Sequence, residues 1–111
     1  MDQNIWEYDD FIFKGDELKG MTAKGKDKVK AGGQTDLVIP AVTPDRLPLK
    51  KIADNAFYRR GLTSVIIPDT VESIGYDAFG VCKLKEVKLP EALVNIEGFA
   101  FYRNKLTKVE F

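Results

Sequence analysis

Few side chains in this chain could carry chemistry, and their spacing decides what each could do. Residues 20–26 read G-M-T-A-K-G-K and imitate the phosphate-binding pattern G-x-x-x-x-G-K. The next residue is Asp27, which removes the Mg²⁺-binding hydroxyl and puts a carboxylate where phosphate would sit. The loop also needs a helix behind it, and Lys24–Lys30 reads instead as a short strand through Val29. Asp9-Asp10 and Asp16-Glu17 are paired carboxylates. Neighbours on a strand point to opposite faces, so neither pair converges on a substrate, and both read as solvated charge. No run has calcium ligands at alternate positions. Cys82 is the one cysteine, and there are no histidines. That removes an internal disulfide, Ser-His and Cys-His nucleophiles and imidazole metal ligands together. Cys82 therefore reads as a small buried filler. No cofactor and no catalytic group is called for.

The elements that hold these residues are set by a repeat. From Leu62 the sequence is LTSVIIPDTVESIGYDAFGVCK, from Leu84 it is LKEVKLPEALVNIEGFAFYRNK, and from Leu106 it restarts as LTKVEF. The unit is 22 residues, a period that belongs to stacked solenoids. Val65 and Ile67 alternate as on a strand with one buried face, and Pro68 ends the strand because it has no N–H to donate. Val71 and Ile74 then turn inward, and Asp77 is expected to cap a short helical turn carrying Ala78 and Phe79. Strand, turn, helical turn, strand makes successive strands parallel. An earlier copy has a strand over Asp36–Ile39 and then Ile52, Ala56 and Phe57, with six extra residues around Val42–Leu49. Pro44 and Pro48 mark that insert as a stiff surface loop. Phe57, Phe79 and Phe101 should stack through the core.

The motifs IPDTVESIGYDAF, LPEALVNIEGFAF and IADNAF closely resemble the BspA-like leucine-rich repeats of bacterial cell-surface proteins. The resemblance covers roughly residues 35–111 and departs from the pattern at the insert and at Glu97, where glycine is usual. It implies an exported protein of the bacterial surface used for adhesion or protein binding, although this segment shows no signal peptide.

The expected fold is an α/β leucine-rich-repeat solenoid of about four parallel strands, right-handed, with short helical turns. An antiparallel β-hairpin cap precedes it. Residues 1–34 form the cap: Trp6, Tyr8, Phe11, Ile12 and Phe13 as one strand, Gly15-Asp16 as the turn, Leu18–Thr22 as the return. Residues 35–111 form the repeats. They break off at Phe111, so a longer array is expected, with self-association through the open C-terminal edge.

The repeat sorts surface residues into columns. Asp36, Ser64, Glu86 and Lys108 form one column of a concave face; Val38, Ile66, Lys88 and Glu110 form the other. Opposite charges lie on neighbouring rungs there, and apolar Val38 and Ile66 are the expected partner contacts. Tyr58, Arg59, Tyr102 and Arg103 fall on the convex surface. Seventeen basic and seventeen acidic residues cancel, which disfavours nucleic acid, and no apolar run is long enough to span a membrane. The leading function is non-enzymatic protein recognition, with a host or neighbouring-cell surface protein as partner. The alternative is a spacer or capping segment of a larger surface protein.

Overall fold

The computed structural model describes residues 6–31 and 33–111, with the side chain of residue 31 left aside. Two sheets run side by side through the repeats. The first consists of β3 (Asp36–Val38), β5 (Ser64–Ile66), β7 (Glu86–Lys88) and β9 (Lys108–Glu110), all parallel. Their register pairs Leu37 with Val65, Val65 with Val87 and Val87 with Val109, one 22-residue step per rung after the insert. The second sheet was not legible in the sequence. It consists of β4 (Lys51–Ile52), β6 (Ser73–Ile74) and β8 (Asn95–Ile96), again parallel, with Ile52, Ile74 and Ile96 in register.

The cap extends this second sheet. β1 (Phe11–Lys14) and β2 (Glu17–Met21) form an antiparallel hairpin around Gly15, whose φ of 60° suits glycine at the turn. β2 then pairs in parallel with β4, giving the order β1-β2-β4-β6-β8. Two expectations for this region are corrected. Tyr8–Asp10 is a single 3₁₀ turn, not strand, and Lys24–Lys30 lies in α1 (Ala23–Ala31), not in a strand. The Thr22 hydroxyl accepts the Gly25 N–H at 3.3 Å and so starts the helix. Gly25 is required where the helix meets the backbone of Asp10, because a Cβ there would lie 2.2 Å from the Asp10 carbonyl oxygen. Val29, the lone apolar residue of the basic run, is the side chain this helix buries.

The core lies between the two sheets. Val65, Ile67, Leu62, Val71, Ile74 and Leu84 are each at most 1 % exposed. Phe57, Phe79 and Phe101 stack as expected, with ring centroids 5.2 and 5.4 Å apart and planes within 10° and 5°. The insert is a surface loop, exposed at residues 42 and 44–48, and it is pinned to the body at two points. Val42 bridges Pro48, the Thr43 amide donates to the Leu47 carbonyl, and Thr43 and Leu49 are buried.

The segment between sheets folds as linked turns. Ala78 donates to the Gly75 carbonyl and Gly80 to the Asp77 carbonyl, each an i→i+3 bond. Left-handed residues keep these turns from propagating as a helix: Asn55, Asp77 and Phe99 in one column, Arg59, Val81 and Arg103 in another, all with φ of 54–61°. Asp77 is thus a left-handed turn residue and not the expected helix cap. Its Oδ1 is buried without a hydrogen-bond partner among the described residues.

Asn104 closes the last described turn. Its Oδ1 accepts from the amides of Cys82, Lys83 and Leu84, and its Nδ2 donates to the carbonyls of Phe79 and Phe101. Cys82 occupies the same column one rung earlier, where its thiol donates to the Phe57 carbonyl at 2.9 Å.

Candidate interaction surfaces

The reactive-looking groups of the cap are structural. In the phosphate-loop mimic, Gly25 is pressed against the Asp10 backbone inside α1, leaving no cradle for an anion. Of the paired carboxylates, Asp10 is wholly buried, a correction to its reading as solvated charge. Its Oδ2 accepts from the Glu7 amide at 2.8 Å and from the Lys28 ammonium at 2.6 Å. Glu7, Asp9 and Asp10 bring carboxylate oxygens within 4.8 Å of one another. Lys24 already holds Glu7 and Asp9 at 2.9 Å each, so two ammonium groups serve this cluster. Those contacts hold the Glu7 and Asp9 carboxyls below their usual range and push Lys24 up. Burial pushes the Cys82 thiol above its ordinary value, against the opposing pull of nearby backbone amides, so it is a poor nucleophile at neutral pH.

The outward residues of the first sheet lie where the repeat put them. Asp36, Val38, Ile66, Glu86, Lys88, Lys108 and Glu110 are exposed and Ser64 is half-buried. Glu86 stands beside Lys108 and Lys88 beside Glu110 across β7 and β9. The direct ion pair, however, runs along β9, from Lys108 to Glu110 at 3.1 Å. The same face holds a side-chain hydrogen bond on its first rungs, the Ser64 hydroxyl donating to Asp36 Oδ1 at 2.7 Å.

Val38 and Ile66 are neighbours in register, and both are about half exposed (51 % and 46 %). Next to them the cap opens a groove of about 580 Å³ lined by Trp6, Glu7, Tyr8, Phe11, Val38 and Pro40. Trp6 is fixed by donating its indole N–H to the Asp36 carbonyl at 2.9 Å, and Tyr8 by donating its hydroxyl to the Val42 carbonyl at 2.8 Å. Of the cap aromatics, Phe11 is buried, while Tyr8 is 47 % exposed and joins a surface groove. No sequence period connects residues 6–11 to residue 38, so only the fold brings them together.

The second outward set also converges. Tyr58, Arg59, Tyr102 and Arg103 line a groove of about 430 Å³ together with Tyr76, Asp77, Val81 and Phe99. Tyr76 and Phe99 were missed in the sequence. A signal existed for Phe99: it falls in the column of Asn55 and Asp77, where turn residues belong.

Parallel rungs of constant length, closed by a second short sheet and turned by left-handed residues, define a leucine-rich-repeat solenoid with an N-terminal hairpin. The family described as "BspA type Leucine rich repeat region (6 copies)" matches residues 50–111, and the chain belongs to that family. Among solved structures, the leucine-rich repeat protein of T. pallidum is similar over 92 % of this chain and 47 % of its own, with 29 % identity and a TM-score of 0.73. The chain thus spans about half the length of that protein. A leucine-rich repeat protein from Bacteroides capillosus shares the fold, with 20 % identity, a TM-score of 0.56, and coverage of 91 % of this chain and 97 % of its own. No curated protein matches. The family is generally non-catalytic, its repeats generally bind proteins, and its members are typically associated with bacterial surfaces. Among the described residues no helix is long and apolar enough to cross a membrane.

Proposed function

We propose that this domain is a non-enzymatic adhesion module of a bacterial cell surface, and that it recognises an extracellular protein of a host or neighbouring cell. The observation that carries this reading is the apolar pair Val38–Ile66 on an otherwise polar sheet face, continuous with the groove of Trp6, Tyr8 and Pro40. An apolar patch rimmed by Asp36, Glu86 and Lys88 has the makeup of a protein-binding spot, a dry centre with a polar rim. Aromatic residues there are already fixed by hydrogen bonds, so little side-chain freedom is lost on binding.

The test is saturable binding of the immobilised domain to a panel of extracellular proteins and glycans. The adhesion reading expects at least one protein to bind. A folded domain that binds nothing in the panel supports the spacer reading instead. Ser64, Glu86, Lys108 and Glu110 are assigned to the rim, where charge changes should alter association rates more than affinity.

A further inference from the structure

We propose that the groove between Tyr58-Arg59 and Tyr102-Arg103 is a second recognition site, for an acidic peptide segment in polyproline II conformation. The two ends of this groove are the same device built twice. In each, an arginine guanidinium lies over the preceding tyrosine ring with 5.5 Å from Cζ to the ring centroid. Neither arginine makes an ion pair among the described residues, although Asp77 lines the same groove. Against the one carboxylate of Asp77, the two arginines leave the groove with an excess of positive charge on a chain whose overall charge is zero. A guanidinium resting over an aromatic ring suits a carboxylate, which it can engage through two parallel N–H donors.

The rung between the two arginines is cut away. Its residues in the same columns are Gly80 and Val81, so no tyrosine or arginine fills the middle. The rungs are stacked directly there: Arg59 donates to the Gly80 carbonyl at 3.0 Å and Val81 to the Tyr102 carbonyl at 2.7 Å. Two rungs at strand spacing put the backbones that carry Arg59 and Arg103 about 10 Å apart along the stack. In an extended β-strand, side chains three residues apart point to opposite faces. In polyproline II, three residues make one turn of about 9 Å, so the first and fourth side chains share a face at matching distance.

The wall of the groove supplies what the middle of such a segment needs. Tyr76 packs edge-on to Phe99 at 5.5 Å, and Phe99 to Tyr102 at 4.9 Å. All three rings are about half exposed, at 45, 54 and 46 %. Phe99 holds this place at φ 61°, where Asp77 stands at 55° one rung earlier and Asn55 at 59° two rungs earlier. A bulky residue in the left-handed region is uncommon, and here it contributes a surface ring, not core. Aromatic-lined grooves of this kind receive the proline rings of polyproline II ligands.

The site shares with the adhesion proposal only the premise of a protein partner, and it sits on different residues from Val38 and Ile66. The test is titration of the full chain with a blocked glutamate–proline–proline–glutamate peptide, followed by amide chemical shifts. Saturable binding is expected, with shifts centred on residues 76–81 and 99–103. Arg59→Ala and Arg103→Ala should each weaken it by about tenfold, the cost of one lost charge-assisted contact. Arg103→Lys should restore little, since charge without the fork is insufficient. Ile66→Lys should leave it unchanged. The proposal is overturned by no saturable binding, by equal binding of the lysine–proline–proline–lysine peptide, or by affinity indifferent to both arginines. Tighter binding of a uronic-acid oligosaccharide than of the peptide would overturn it too, by making the occupant a glycan. Failure here with panel binding intact leaves the sheet-face reading standing, and the reverse outcome leaves this site standing.

Discussion

At the scale of single residues, the repeat column is the unit that explains each side chain. Phe79 is sandwiched between Phe57 and Phe101 and is wholly buried, so Phe79→Ala should cost about 3–5 kcal/mol in denaturant unfolding. An unchanged midpoint would mean the stack does not support the core. Asn104 satisfies three amides and two carbonyls of the turning chain. Asn104→Ala should cost about 1–3 kcal/mol through those unpaired groups, and the same measurement checks it. Cys82 gives a pH dependence. Burial raises its thiol above the ordinary 9.0, so the unfolded chain loses that proton first as the solution becomes alkaline. Between the unfolded and folded values the native state binds more protons, and stability falls with rising pH. Wild type should therefore lose stability above pH 9.0 relative to Cys82→Ala, with parallel profiles contradicting the assignment. The burial of Cys82 and the phenylalanine stack were readable because they repeat at a fixed step. Asp10 was not, because a carboxylate next to Asp9 gives no hint that Lys28, 18 residues on, will cover it.

At the scale of elements, what was legible followed from length and period. Strands β3, β5, β7 and β9 announce themselves by alternation around a central valine or leucine and by the proline that follows three of them, Pro40, Pro68 and Pro90. The second sheet stays hidden because its repeat strands are two residues long and offer a single isoleucine each, too little for any period to show. Helix α1 hides for another reason. Its apolar content is one buried valine, and four lysines with a central glycine do not look helical. The glycine is there for packing, which sequence alone does not display. Gly25→Ala tests this, since intrinsic propensity favours alanine by about 1 kcal/mol while the contact with the Asp10 carbonyl opposes it. Net destabilisation of about 1–3 kcal/mol is expected from the forced shift, and a more stable variant would show the helix free to move off the 3₁₀ turn.

At the scale of the whole molecule, the hairpin cap and the repeats form one continuous structure, because β2 pairs with β4 and Trp6 bonds to Asp36. The cap therefore does two things: it covers the first rung and places aromatic rings beside Val38. That is why the proposed recognition face spans residues far apart in sequence. The most direct measurement compares wild type with Ile66→Lys, first by thermal unfolding and then by surface plasmon resonance against the panel protein that binds best. Ile66 points away from the core and is 46 % exposed, so the substitution should leave the unfolding temperature unchanged. A charge set into the dry centre of the patch should weaken binding by about tenfold or more, mainly through faster dissociation. Equal affinity of the two proteins, with equal unfolding temperatures, would contradict the claim that this face meets the partner.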